Sequence, residues 1–198
     1  MKYIVFGSGG LAKELIGYLL DDGHEVVKVV STEPFNNPEF KYEVAKKAGV
    51  VKSGVRFLLA VADSGVKRKI VSENEDLWDS YFHRSCYVSR YAKIGRGVVL
   101  APQALVVGDG EVGDFVFLNI NVIVAHDSKV GHYSSLMPNA AVLGGCLVGE
   151  DVFIGTGAYV LPGKNVGDGA KLSAGSVVRH NVQEQVTVYG DPARPKAA

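Results

Sequence analysis

The sequence lacks most of the features that would place it outside a cell or on another polymer. Its two cysteines, Cys86 and Cys146, are too few and too isolated for a disulfide framework or a metal knuckle. Lysine plus arginine equals aspartate plus glutamate, at 21 each. No basic face for nucleic acid or an anionic membrane is therefore expected. No apolar run approaches the length of a transmembrane helix. Met1-Lys2-Tyr3 leads directly into a strand pattern, without the charged and apolar regions of a secretory leader. These absences predict a soluble cytoplasmic protein with no bound metal, no nucleic-acid partner and no membrane partner. A length of 198 residues allows one or two domains.

What the sequence does have is a period. Starting at Val88, an aliphatic residue recurs every six positions (Ile94, Leu100, Val106 and onward) without a miss to Leu172. The fifth position of each hexad is usually small or β-branched, as at Ala104, Val122, Ser128, Ala140 and Ala158. The second is often glycine, as at Gly95, Gly113, Gly131, Gly149, Gly155 and Gly167. A short fixed period over such a span predicts a solenoid. Six residues make one side, three sides close a triangular coil, and the aliphatic residue points at the axis. Cys146 falls on an inward fifth position and is expected to be a small buried filler. The position-two glycines are expected to supply unusual corner backbone angles. Five coils at the inter-strand spacing give a prism roughly 24 Å tall.

The stretch before the period alternates strands and helices. Lys2 to Phe6 reads as a strand, Gly7-Ser8-Gly9-Gly10 as a tight turn, and Leu11 to Leu20 as a helix closed by Asp21-Asp22-Gly23. A second strand runs from His24 to Val30. Ser31 to Asn37 reads as a loop, with Pro34 and Pro38 stopping regular structure. Lys41 to Ala48 is expected to form a short helix, Arg56 to Ala62 a third strand and Gly65 to Glu73 a further helix. This pattern predicts a small parallel α/β unit of Rossmann type over residues 1–84, followed by a solenoid domain over 85–198. The glycine turn between a strand and a helix N-terminus presents backbone N–H groups to an anion. A dinucleotide, a sugar-nucleotide diphosphate and a purely structural turn all remain compatible with it.

Within the solenoid, His126 sits outward near a corner and is followed by Asp127. A carboxylate beside a histidine fixes its tautomer and raises its basicity, which suits a general base. Stacking by eighteen puts Gly108 and Gly144 on either side of His126, so its column carries no competing side chains. Pro138, Thr156 and Ala174 form a second column that is small and nearly uncharged. Outward aromatic residues, among them Phe115, Phe117, Tyr133, Phe153 and Tyr159, suggest burial against other copies of the chain. His132 reads as a surface or interface residue.

The combination resembles the hexapeptide-repeat sugar O- and N-acetyltransferases of the sialic acid O-acetyltransferase and bacillosamine or perosamine N-acetyltransferase type. The residues that carry the resemblance are Gly7-Ser8-Gly9-Gly10 with Glu14, Leu59 to Asp63 with Lys67-Arg68-Lys69-Ile70, and His83. Further along they are Asn119, Val124 to Asp127, Gly144-Gly145, Ile154-Gly155 and Gly190-Asp191-Pro192-Ala193. The sequence departs from the family pattern at Ser31-Thr32, Ala62-Asp63 and Arg84, and Ser135 stands where relatives carry a second histidine. The resemblance implies a left-handed parallel β-helix, a homotrimer, and transfer of acetyl from acetyl-CoA to the amino group of a nucleotide-linked amino sugar. UDP-4-amino-4,6-dideoxy sugars and GDP-perosamine are the implied substrates. His126 and Asp127 would be catalytic. Gly7, Gly9, Gly10, Leu11, Ala62, Gly65 and Asn119 would hold the acceptor, and Ser135, Gly144, Thr156 and Ala174 coenzyme A. O-acetylation of a sugar is the alternative within enzymes. A zinc carbonic anhydrase on the same solenoid and a non-enzymatic scaffold are more distant ones.

Overall fold

The structure is a computed structural model and describes all residues except 36, 38, 39, 43, 75 and 196–198. Strand β1 (Lys2–Phe6) is almost wholly buried, as its Tyr-Ile-Val-Phe run requires. It lies at the centre of a parallel sheet between β2 (Glu25–Val30) and β4 (Val55–Leu59). A two-residue strand β3 (Val44–Ala45) pairs with the end of β2, giving the order β3-β2-β1-β4. Helix α1 (Gly10–Asp21) buries Ala12, Leu15, Ile16 and Leu19, the stripe expected of an amphipathic helix. Gly23, at φ 74°, follows it. Helix α2 (Ser64–Ser72) begins at Asp63, whose carboxylate caps the Val66 amide at 2.9 Å.

The helix expected over Lys41 to Ala48 is not there. Val44 and Ala45 instead extend the sheet beside Val29 and Val30. A free row of β2 backbone groups outweighs weak local helix preference. Pro38, expected as a breaker, lies outside the described residues.

The hexads fold into stacked two-residue strands on three parallel faces, each strand eighteen residues from the next in its face. One face carries Lys93, Glu111, Lys129, Leu147 and Asn165 outward and is the charged face. A second carries Tyr81, Val99, Phe117 and Ser135 and lies against the N-terminal sheet. The third carries Tyr87, Leu105, Ile123, Ala141, Tyr159 and Val177 and is apolar. The inward aliphatics from Leu100 to Leu172 are buried and form one continuous core with the fifth-position residues. Cys146 is among them, fully buried. Inward serines are satisfied: Ser128 donates to Leu143 O at 2.7 Å and Ser134 to Gly149 O at 3.1 Å.

Two sequence expectations change here. The solenoid exceeds five coils, because Tyr81–Phe82 already pairs with Val99–Leu100 and Thr187–Tyr189 still pairs with Lys171–Leu172. Phe82 pairs in register with Leu100, six residues before Val88, but is 43% exposed at the end of the stack, and an aliphatic template passes over it. The position-two glycines do not supply the corner angles. Positive φ falls at position four, at residues such as Asn121, Asp127, Asn139 and Gly157. Gly131 and Gly149 are required by close stacking: a Cβ would lie 2.5 Å from the Gly149 carbonyl carbon and 2.1 Å from Asp168 Oδ1, respectively. The last strand, Arg194–Pro195, turns back antiparallel to Thr187–Tyr189.

Candidate active site

His126 stands at the corner between the apolar and charged faces. Val124, two residues earlier, is locked in the core, and Asp127 adopts φ 57°, so the chain turns and His126 projects outward. Its Nδ1 lies 2.7 Å from Asp127 Oδ2, and the two side chains are 67% and 68% exposed. With Asp127 accepting, Nδ1 carries the proton and Nε2 is the basic nitrogen. The Asp127 amide donates to Asp109 Oδ1 at 2.8 Å, one coil below. That bond holds the Asp109 carboxyl below the usual carboxylate range.

The glycines flanking His126 are needed by the ring itself. A Cβ on Gly144 would lie 2.6 Å from Cε1 and 2.7 Å from Nε2, and one on Gly108 would lie 2.7 Å from the histidine Cβ. The cleared column therefore gives the imidazole its place before it gives room to a ligand.

The N-terminal turn is also built for close approach. Gly7 has φ 120°, and a Cβ there would lie 2.6 Å from Ala60 O. Gly9 and Gly10 face open space, and Gly9 stands at the start of α1 without a side-chain cap, leaving first-turn N–H groups for an anion. Ser8 Oγ meets Ser31 Oγ at 2.8 Å, tying the turn to the end of β2. Beside Gly7, at the carboxyl edge of the sheet, lies a cavity of about 900 Å³. Its walls include Ser31 and Thr32, Lys46 and Lys47, and Lys69 of α2 over an apolar floor. The sequence reading missed Lys46 and Lys47, because residues 41–48 were read as a helix.

Asn119 is 2% exposed. Its Oδ1 accepts the Ile120 amide at 2.7 Å, and its side chain stands beside Glu14 of α1. Burial holds the Glu14 carboxyl above its ordinary range, partly offset by Asn119. Ser135 requires a correction. It is 1% exposed and donates to Ala62 O at 2.9 Å, so its hydroxyl serves the contact between sheet and solenoid and not a ligand. Phe115 and Phe117 require another. Both are buried under the N-terminal unit, Phe115 stacked on Tyr133 at 5.2 Å, so they are not available to another copy. Thr156 and Ala174 are exposed as expected. His132 is at the surface, its Nδ1 accepting the Asp114 amide at 2.8 Å.

Within one chain these groups do not converge. α1 runs along the corner between the domain-facing and apolar faces, where Tyr18 meets His83 and Glu14 meets Asn119. Thr156 and Ala174 share that corner. α2 meets the corner between the charged and domain-facing faces. His126 occupies the third corner, opposite the face the N-terminal sheet covers. One side of the triangle, about 15–20 Å of extended chain, separates it from Asn119.

No protein-family model and no curated protein matches the chain. Solved structures do. PerB from Caulobacter crescentus, determined with CoA and GDP-perosamine, matches with TM-score 0.91 and 28% identity over 100% of this chain and 98% of that one. The resemblance is to hexapeptide-repeat sugar acetyltransferases. The acetyltransferase domain of PglB from Neisseria gonorrhoeae, determined with acetyl coenzyme A, matches with TM-score 0.88 and 25% identity over 98% of both chains. WeeI from Acinetobacter baumannii, at 24% identity and TM-score 0.90 over 99% of this chain and 100% of that one, bears on the fold alone. Perosamine N-acetyltransferase from Caulobacter crescentus with one histidine replaced by asparagine or by alanine, each with CoA and GDP-perosamine, also matches, at TM-score 0.92. Among the described residues no helix is long and apolar enough to cross a membrane.

Proposed function

We propose that the chain is an acetyl-CoA-dependent N-acetyltransferase for the amino group of a nucleotide-linked amino sugar, of the UDP-4-amino-4,6-dideoxy sugar or GDP-perosamine type. The observation that carries this is the full-length match to a protein solved with CoA and GDP-perosamine. The outward His126–Asp127 pair agrees with it. His126 Nε2 takes the proton from the sugar amine as nitrogen attacks the thioester carbon. Asp127 orients the ring and stabilises the imidazolium. The carbon–sulfur bond then breaks, and the proton leaves with the coenzyme A thiol.

In this reading Gly7, Gly9, Gly10, Leu11, Ala62 and Gly65 border the nucleotide diphosphate, and the cavity lysines balance its charge. Asn119, buried beside Glu14, lies near the acceptor sugar. The pantetheine arm runs past Gly144 and over Thr156 and Ala174. We take the N-terminal sheet as a Rossmann-like unit and the solenoid as left-handed, in keeping with that resemblance, and place the reaction in the cytoplasm with its two soluble substrates. Because His126 and the acceptor groups occupy different corners, the site requires a neighbouring copy, and a homotrimer packed through the apolar face supplies one. Complementation tests this arrangement. Gly9→Val and His126→Ala chains, each inactive alone, should regain part of the activity when refolded together. No recovery in a mixed trimer would place the whole site in one chain.

A further inference from the structure

α2 forms one wall of the cavity beside Gly7, through Val66, Lys69 and Ile70. Its other side is fixed to the solenoid by a buried cation. Lys67 is 1% exposed, and its Nζ donates to the carbonyls of Phe115 (3.0 Å), Tyr133 (3.2 Å) and Ser134 (3.0 Å). An ammonium has three hydrogens, and three converging acceptors take them all. Phe115 and Tyr133 are left-handed corner residues, at φ 57° and 59°. Their carbonyls thus turn out of the coil towards α2. The adjacent Arg68 lies over the Tyr133 ring at 4.2 Å and pairs with Glu150 and Asp151 at 2.8 Å. Ser135 ties Ala62 O, just before α2, to the same face.

A methionine could fill this space without the desolvation cost of a charge. What apolar packing cannot supply is direction, since it tolerates sliding and three hydrogen bonds to rigid carbonyls do not. We propose that Lys67 is a positioning residue that sets the width of the cavity and the place of the Ala62 to Gly65 loop, and through them the affinity for the nucleotide-sugar. This rests on reading the cavity as the nucleotide-sugar site.

Calorimetric titration of the full-length chain at pH 6, where Lys67 carries its third hydrogen, tests it, with GDP-mannose, UDP-N-acetylglucosamine and coenzyme A as probes. In a cooperatively folded Lys67→Met variant, Kd for whichever nucleotide-sugar the wild type binds should rise about tenfold. Kd for coenzyme A should stay within about twofold. If Lys67→Met does not fold, Lys67→Arg serves, because a planar fork cannot meet three converging carbonyls, and the same rise is expected. An unchanged nucleotide-sugar Kd in a folded variant, or an equal rise for coenzyme A, overturns the assignment and leaves Lys67 a structural rivet. A wild-type chain that binds neither nucleotide-sugar overturns the reading of the cavity before any variant is made.

Discussion

At the scale of the residue, chemistry and geometry meet at His126. General-base catalysis is worth roughly 10² to 10⁴ in rate. His126→Ala should lower kcat by that range with little change in either KM, and Asp127→Asn should cost less, since a neutral amide can still hold the ring. Steady-state kinetics checks both, and a His126→Ala enzyme within a few-fold of wild type would move the base elsewhere. Gly144→Ala is a sharper probe. Its Cβ would meet the imidazole at 2.6 Å, so the ring must swing away while the coil stays intact. Such a misplacement can cost about 10² in rate. The melting temperature should barely move, and a parallel loss of rate and stability would mean the coil itself had been disturbed. The histidine, its carboxylate and its two glycines were legible because the eighteen-residue repeat fixes which residues stack. The role of those glycines was not legible, since a column of missing side chains reads the same whether it holds a ring or a ligand.

At the scale of the element, α2 and the coils carry the joint between the two parts. Burial pushes the Lys67 ammonium down to about 7, against the pull of Asp151 and Asp63. An unfolded lysine keeps its proton to about pH 10.4. Between those values the unfolded chain binds more protons than the folded one, so this group makes stability rise with pH. Below about 7 both states hold the proton and the slope vanishes. Denaturant titrations across pH 6.5 to 9.5 should therefore give a steeper rise for wild type than for Lys67→Met, and equal slopes would contradict a depressed lysine. The coils make a second comparison. Gly131→Ala forces a Cβ into the backbone of the next coil, whereas Gly157→Ala, with φ 64° and nothing within 4 Å, bears only the left-handed penalty of about 1–2 kcal/mol. Thermal melts should show Gly131→Ala to be clearly the more damaging. Sequence periodicity found the coils but not which glycines bend the chain and which admit a neighbour. Both kinds are glycine, and the repeat alone does not say which hexad position carries the bend. Lys67 stayed hidden for a related reason: a lysine in an exposed-looking Lys-Arg-Lys run reads as solvated until the solenoid carbonyls are placed around it.

At the scale of the whole molecule, the outward apolar residues divide between two purposes. Phe115 and Phe117 cover the joint with the N-terminal sheet, while Tyr87, Leu105, Ile123, Tyr159 and Val177 remain on the apolar face. Hexad position alone puts both groups outside the prism, and the choice of covered face depends on where a separate unit docks. Ile123→Glu, at the centre of the apolar face, should leave the fold intact and yield monomers in sedimentation with little activity. A stable oligomer with full activity in that variant would mean that the copies meet elsewhere.

A solenoid has no natural length. Every coil offers the next a complete row of hydrogen-bonding groups, and two exposed ends could in principle join tip to tip into a fibre. The reversed strand at Arg194–Pro195 interrupts this on one face, where the row against Thr187–Tyr189 is occupied by a segment running the wrong way. One of its two residues has no amide hydrogen to offer. The reversed strand thus makes this end of the stack a poor template for another copy.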